Sequence, residues 1–316
     1  MKISVVIPVK NGAATLDQCL SSIRFQTLSD IEIIVLDSMS NDGSRDIAKK
    51  YNAVIADIPL GTFNHGLTRN IGAQKASADL VYFTVQDAWM PDDRMLETMS
   101  AHFEDGEVGA VVGHQATPWG HIDKNPVLWF KRYSQPVVGV RHFPNGSFNN
   151  LTQREQFEQS GWDDVNAMYR KTTLLAIPFR ETNFSEDWLW ANDALRNGVK
   201  IFYDPSLVVY HYHHMYFAYT FKSKFILNYY FFKFFNQLPS LPMSPLGVSK
   251  AIYLLISRRE VRISKKFYWI LYNTSFSIAN FLSVLIFRLA YFLGKKPLLN
   301  RAYKMICSEV PQGRLK

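Results

Sequence analysis

Short apolar runs alternate with amphipathic segments over the first two hundred residues. Residues 3–7 form a β-branched run closed by Pro8, and residues 13–25 follow with apolar positions at helical spacing. Residues 31–36 are continuously apolar up to Asp37, the pattern of a strand buried on both faces. Asn41-Asp42-Gly43 turns the chain into a helix over 44–51, and 53–55 reads as a short strand. Residues 69–75 are helical in spacing, 80–85 form another buried strand, and 92–103 another amphipathic helix. Between Gly113 and Gln159 the periodicity breaks down, and an aperiodic stretch of that length reads as a binding loop or lid. Regular spacing returns with a helix over 188–196, ended by Asn197-Gly198, and strands over 200–203 and 207–210. This β-α-β-α order predicts an α/β fold around an open parallel sheet with right-handed crossovers. Such sheets bind ligands at the carboxyl ends of their strands, which singles out Asn11, Asp37, Gln86 and Asp87.

Past His214 the composition changes. Residues 215–235 hold eleven aromatics and three lysines with no acid, a proline-rich linker spans 238–245, and residues 267–287 carry no charge. Over 215–316, sixteen Lys/Arg face two acids, Glu260 and Glu309, whereas the first 214 residues hold 19 basic and 25 acidic groups. The overall charge of +8 thus joins a mildly acidic body to a strongly basic tail. We therefore expect two parts, residues 1–214 and 215–316, with an anionic partner for the second alone. Hydrophobic residues at 47% and charged residues at 20% exclude wholesale disorder. Two cysteines, Cys19 and Cys307, exclude a disulfide framework or a four-thiolate zinc site. The apolar run in MKISVVIPVK is too short for a signal peptide, so the cytoplasmic side is expected.

Several constellations combine chemistry with an ordinary structural reading. Asp37 heads LDSMSNDGS, where a strand-end acid can accept from a nucleobase or ribose, although Asp42 and Ser44 also serve as plain turn residues. Asp87, after Gln86, can bind a divalent cation or cap the next helix. Residues 63–70, FNHGLTRN, place donors and Arg69 ahead of a helix, suited to phosphate or sugar oxygens or to simple capping by Thr68. In Ser185-Glu186-Asp187-Trp188, acids in a first helical turn suit the helix dipole, yet Asp187 beside Trp188 and Trp190 also fits a base next to sugar-stacking surfaces. His211, His213 and His214 crowd a strand end as metal ligands or solvent-facing imidazoles. No glycine-rich phosphate fingerprint occurs, which argues against dehydrogenase and P-loop chemistry.

Taken in order, SVVIPVKNG (4–12), IEIIVLDSMSNDGS (31–44), NHGLTRNIGA (64–73), VQDAWMPDD (85–93) and FSEDWLWANDALRNGVKIFYDPSLVVYHYH (184–213) resemble family 2 glycosyltransferases of the GT-A fold. NHGLTRN, QDA and the EDW…HxH ending are most similar to bacterial rhamnosyltransferases of polysaccharide and O-antigen synthesis. The resemblance implies a Rossmann-like nucleotide-binding sheet and inverting transfer from a nucleotide-diphosphate sugar, with L-rhamnose from dTDP-rhamnose as the expected donor. It implies that Pro8, Val9, Asn11 and Asp37 hold the nucleoside, with Gln86 on the donor side and Arg69 along the diphosphate or base. Asp87 matches the last acid of the family's DxD, with His211 or His213 completing a site for Mg²⁺ or Mn²⁺. Val85 replaces the usual first acid, leaving one carboxylate there. Asp187 matches the general base, Glu186 stands beside it, and Trp188 and Trp190 face the acceptor. A buried or acid-paired Asp187 would have its pKa raised toward a useful range.

The mainly helical tail suits the headgroup interface of an anionic membrane. Residues 267–287 are long enough to span one, but Asn273, Ser277 and Asn280 make a polar stripe that favours a helix lying in the interface. Packing on the catalytic part, or a homo-oligomer interface, is the plainer reading. Nucleic acid ranks lowest, because the basic residues alternate with large aliphatics. The expected location is the cytoplasmic face of the inner membrane, with a lipid-linked glycan as acceptor. The competing functions are a sugar nucleotidyltransferase and a non-catalytic, membrane-attached carbohydrate-binding subunit.

Overall fold

The computed structural model describes residues 2–121, 123–130, 137–241 and 244–307. The chain forms two compact units: Met1–Ala116 with Arg132–Tyr212, and Thr117–Lys131 with His213–Lys316. Part of the aperiodic stretch, Thr117–Lys131, therefore belongs with the tail.

The first unit runs β1 (Ile3–Val9), α1 (Leu16–Arg24), β2 (Ile31–Asp37), α2 (Ser44–Lys50), β3 (Val54–Asp57), α3 (His65–Lys75), β4 (Leu80–Phe83) and α4 (Met95–Ala101). It continues with β5 (Val108–Ala116), β6 (Gly139–Arg141), α5 (Gln153–Gln159), β7 (Ala167–Arg170), α6 (Lys171–Ala176), α7 (Glu186–Arg196) and β8 (Lys200–Tyr210). Eight strands make one sheet in the order β3-β2-β1-β4-β7-β5-β8-β6. The β3-β2-β1-β4 half is parallel, as the sequence predicts. The other half is not: β7 runs antiparallel to both β4 and β5, and β6 antiparallel to β8, so the sheet is mixed. Ala167, Met168 and Tyr169 of β7 are all buried, and a strand apolar on both faces carries no periodic signal of its direction.

Alternation along β1 sorts the core. Ile3, Val5, Ile7 and Val9 pack with Leu16, Leu20 and Ile23 of α1 on one face, while Val6 joins Ala73 of α3 and Trp190 of α7 on the other. Each such side chain, fully buried, contributes about 1.5–3 kcal/mol. The strand read as two, over 200–203 and 207–210, is the single β8, whose register against β5 shifts between Val112 and His114. Gly113 sits at that shift because a Cβ there would lie 2.2 Å from Asn166 Nδ2 and 2.3 Å from the Leu207 carbonyl oxygen. Asn166, buried, donates to that Leu207 oxygen at 2.8 Å and accepts from the Tyr82 hydroxyl at 3.0 Å, pinning β4, β7 and β8 together.

The second unit is helical: α8 (Phe217–Phe235), α9 (Ser244–Ser257) and α10 (Ile263–Ile306). Aromatic contacts join α8 to α10, among them Phe225 and Phe232 on Phe287, and Tyr229 stacked on Tyr303 at 4.0 Å. The backbone leaves helical geometry at Gly294 and Lys295, just before Pro297. Two members of the polar stripe look inward: Asn273 exchanges side-chain hydrogen bonds with Asn125 at 2.8 and 3.1 Å, and Ser277 donates to the Asn273 carbonyl.

Candidate active site

The carboxyl ends of β1 and β2 carry two loops laced to each other. Asn11 takes a left-handed backbone with φ 47°, a conformation asparagine tolerates better than most residues. Its N–H donates to Ser40 Oγ at 2.9 Å, and its Oδ1 accepts from the Asn41 N–H at 3.1 Å. Gly12 N–H donates to Ser44 Oγ and Ala13 N–H to Asp42 Oδ2. Val9 is a core side chain whose carbonyl accepts from the Ser38 N–H at 2.9 Å, so only its backbone faces the loop, while Pro8 is half-buried. Asp37 is fully buried, accepts from the Ser40 N–H at 3.2 and 3.3 Å, and pairs with Arg45 at 2.8 Å. Gln86 grips the same edge through both amide atoms, accepting from the Lys10 N–H at 2.8 Å and donating to the Lys10 carbonyl at 3.3 Å. A Cβ on Gly12 would come within 2.6 Å of Gln86 Oε1, so the glycine makes room for that clasp.

A second centre gathers carboxylates at the start of α7. Ser185, with φ 63°, turns the chain so that Glu186 and Asp187 open the helix. Three polar residues of NHGLTRN fix this turn from α3. Asn64 caps α3 and donates to the Thr182 carbonyl at 2.8 Å, and Asn70 bonds both the N–H and the carbonyl of Phe179. Arg69 pairs with Glu186 at 2.6 Å and Asp164 at 3.4 Å. Arg69 is thus buried with its charge matched by two acids, placing it in the acid cluster and away from a free role on a diphosphate. Asp164 also accepts from the Tyr169 hydroxyl, and burial raises its pKa to about 6 against the opposing pull of Arg69. Burial, then the neighbouring charges of Glu186, Asp164 and Asp163, holds the Asp187 carboxyl well above the ordinary carboxylate range. One guanidinium among four carboxylates leaves the cluster holding on to protons, the setting a general base requires.

The third centre lies where the β4–α4 loop meets the end of β8. Trp89 and Tyr210 form an antiparallel bridge, with N–H···O distances of 3.1 and 2.8 Å, that brings Asp87 beside His211. His211 Nε2 stands 3.4 Å from Asp87 Oδ1. His213, two residues further along the chain, opens the second unit. Two donors bonded to one cation at roughly 2.1 Å stand roughly 3–3.5 Å apart, so the Asp87–His211 spacing fits a shared divalent ion with mixed oxygen and nitrogen ligands.

The two tryptophans part company. Trp188 is half-buried and stacks obliquely on Phe157 at 4.7 Å. Trp190 is wholly buried, donates to the Ile177 carbonyl at 2.9 Å and packs edge-on against Tyr169. It is a core residue and offers no face to an acceptor, which corrects the sequence reading; two positions along a helix point to different faces. The sequence reading missed Asp163, Asp164 and Gln115. The available signal was the acid pair in GWDDVN, placed directly ahead of a buried strand.

A half-parallel sheet with two laced loops at its carboxyl edge, beside an acid cluster and a carboxylate–imidazole pair, is an arrangement of the GT-A type. The family model for glycosyl transferase family 2 matches residues 4–177, and the chain belongs to that family. The O-antigen chain rhamnosyltransferase RfbN of Salmonella typhimurium is 30% identical over 223 residues, covering 67% of this chain and 67% of that protein. The O-antigen chain rhamnosyltransferase WbaN of Salmonella anatum is 30% identical over 219 residues, 66% of each chain. The alignments thus span about two-thirds of each of these relatives. Among solved structures, S. aureus TarS 1-349 in complex with UDP-GlcNAc is similar in fold, with a TM-score of 0.53 at 17% identity over 98% of this chain and 82% of that one. The protein is a glycosyltransferase.

Proposed function

We propose that the chain is an inverting rhamnosyltransferase that moves L-rhamnose from dTDP-rhamnose to a lipid-linked or growing polysaccharide acceptor at the cytoplasmic face of the inner membrane. The observation that carries the reaction is the acid cluster around Asp187. In the step, the acceptor hydroxyl oxygen bonds to the anomeric carbon as the bond to the diphosphate oxygen breaks. The hydroxyl proton goes to Asp187, and the leaving nucleoside diphosphate takes the electron pair. Asp187 abstracts that proton because burial and the neighbouring acids raise its affinity for it. Glu186, paired with Arg69, positions the turn, and Trp188 borders the acceptor side. Asp37, Asn11 and the backbone of Pro8 and Val9 hold the nucleoside, with Gln86 fixing their loop. Asp87 and His211 would hold Mg²⁺ or Mn²⁺, which would supply charge neutralisation to the diphosphate. The donor assignment rests on the two O-antigen rhamnosyltransferases that this chain resembles.

A thermal-shift and transfer panel tests the donor: dTDP-L-rhamnose, UDP-glucose, UDP-GlcNAc and GDP-mannose, each with Mn²⁺. The expected result is stabilisation by dTDP-L-rhamnose alone, about 2.7 kcal/mol at a hundredfold excess over Kd, with transfer to a lipid-linked glycan fraction. Stabilisation and turnover with another sugar nucleotide would replace the donor and leave the acid cluster's role standing.

A further inference from the structure

The carboxylate–imidazole pair and the acid cluster are joined by one side chain. Gln115, at the end of β5, receives His211 Nδ1 at 2.6 Å on its Oε1, while its Nε2 donates to Asp163 Oδ2. The other oxygen of Asp163 accepts from the Val165 N–H at 2.9 Å. Parallel pairing of β5 with β8 sets Gln115 opposite Val209, and the His211 N–H bonds the Ala116 carbonyl at 3.0 Å, so the strands themselves bring Gln115 and His211 together.

We propose that Gln115 and Asp163 are positioning residues that lock His211 in the tautomer able to bind a cation. With both oxygens of Asp163 accepting, the Gln115 amide must present its NH₂ to the carboxylate. Its carbonyl oxygen must then face His211, and a carbonyl can only accept. His211 therefore carries a proton on Nδ1, and in its neutral form the Nε2 lone pair faces Asp87 Oδ1. A hydrogen-bonding partner of this kind fixes ring orientation as well as tautomer, and its loss costs about 10–100-fold in metal affinity. Asp163 is also one of the charges bearing on Asp187, so a single carboxylate is linked to both centres, by charge to one and through Gln115 to the other. The proposal rests on the cation reading of Asp87 and His211 made above.

The test uses the full chain, metal-free, with ¹⁵N-labelled histidine. Long-range ¹H–¹⁵N spectra report the tautomer, and His211→Gln identifies the signal among eight histidines. We expect His211 in the Nδ1–H form, lost or mixed in Gln115→Leu. Mn²⁺ titration followed by electron paramagnetic resonance is expected to show about 10–100-fold weaker binding in both Gln115→Leu and Asp163→Asn. Asp163→Asn is informative because this side chain is separated from the ion by Gln115. A merely structural role for Gln115 would lower the melting temperature without altering the tautomer of the folded fraction. An Nδ1–H tautomer without Mn²⁺ binding in the wild type would sink the cation reading and leave the hydrogen-bond chain intact. An Nε2–H tautomer in the wild type, or unchanged Mn²⁺ affinity in both variants, would overturn the proposal.

Discussion

A carboxylate that takes a proton near neutral pH must sit where its charge is disfavoured, and the surroundings of Asp187, the proposed base, disfavour its charge. Burial and three nearby acids hold its pKa up, and burial pushes the Asp164 carboxyl of the same cluster up to about 6. The base works deprotonated, so kcat/KM should fall as pH drops, with an acid limb near or above pH 6 that belongs to the cluster as a whole. The folded state binds these protons more tightly than the unfolded chain. Their contribution to stability is therefore present below the unfolded carboxylate pKa and lost as pH rises through the raised folded values. Asp187→Asn removes a disfavoured charge while keeping the shape. We expect a loss of about 10²–10⁴-fold in turnover with a melting temperature at pH 7.5 equal to or above that of the wild type. Lower stability with intact catalysis would mean that Asp187 is only a helix-capping residue. The sequence singled out Asp187 as a candidate because an acid at a helix start beside tryptophan is a local pattern. It missed Asp163, Asp164 and Gln115, whose importance comes from partners 48 and 96 positions away in Gln115's case and 117 for the Arg69–Glu186 pair beside them.

At the scale of elements, α3 acts as the clamp on the active turn. Its motif reads from sequence as a cluster of phosphate or sugar donors, but Asn64, Arg69 and Asn70 bind the 179–186 segment that delivers Glu186 and Asp187. Asn70→Ala strips the Phe179 N–H and carbonyl of their side-chain partner. We expect a stability loss on the order of 1–3 kcal/mol in urea unfolding, together with a fall in kcat larger than any rise in donor KM. Unchanged kcat would show that the turn holds without its clamp. The parallel half of the sheet was legible because each strand is a continuous apolar run separated by a helix of normal length. The mixed half was not: β7 is buried on both faces, β6 has three residues, and β5 carries Gly109 and Gly113 where packing needs them. Short or glycine-bearing strands lose the periodic signal that sequence reading depends on.

At the scale of the whole molecule, the second unit carries one helix long and apolar enough to cross a membrane, and we propose that it binds one. Only 28% of the most apolar stretch of α10 is buried, and Ile263, Phe267 and Leu293 are largely exposed. Before the break at Gly294 the helix rises for roughly 45 Å at 1.5 Å per residue, enough to cross a bilayer. The polar stripe, which from sequence argued for a helix lying flat, is partly spent on Asn125. What remains for the surroundings is a large apolar face among lysines and arginines. Each basic side chain near an anionic surface contributes about 1 kcal/mol, screened within a Debye length, while buried aromatics and aliphatics are insensitive to salt. We therefore expect the full chain to float with anionic liposomes, to bind neutral ones more weakly, and to be released only in part by 1 M salt, roughly 3 Å of screening length. Carbonate at alkaline pH then separates the two modes. A helix lying in the interface is stripped, and a spanning α10 stays with the lipid. Absence of flotation with anionic vesicles would remove the membrane from the function and, with it, the grounds for a lipid-linked acceptor.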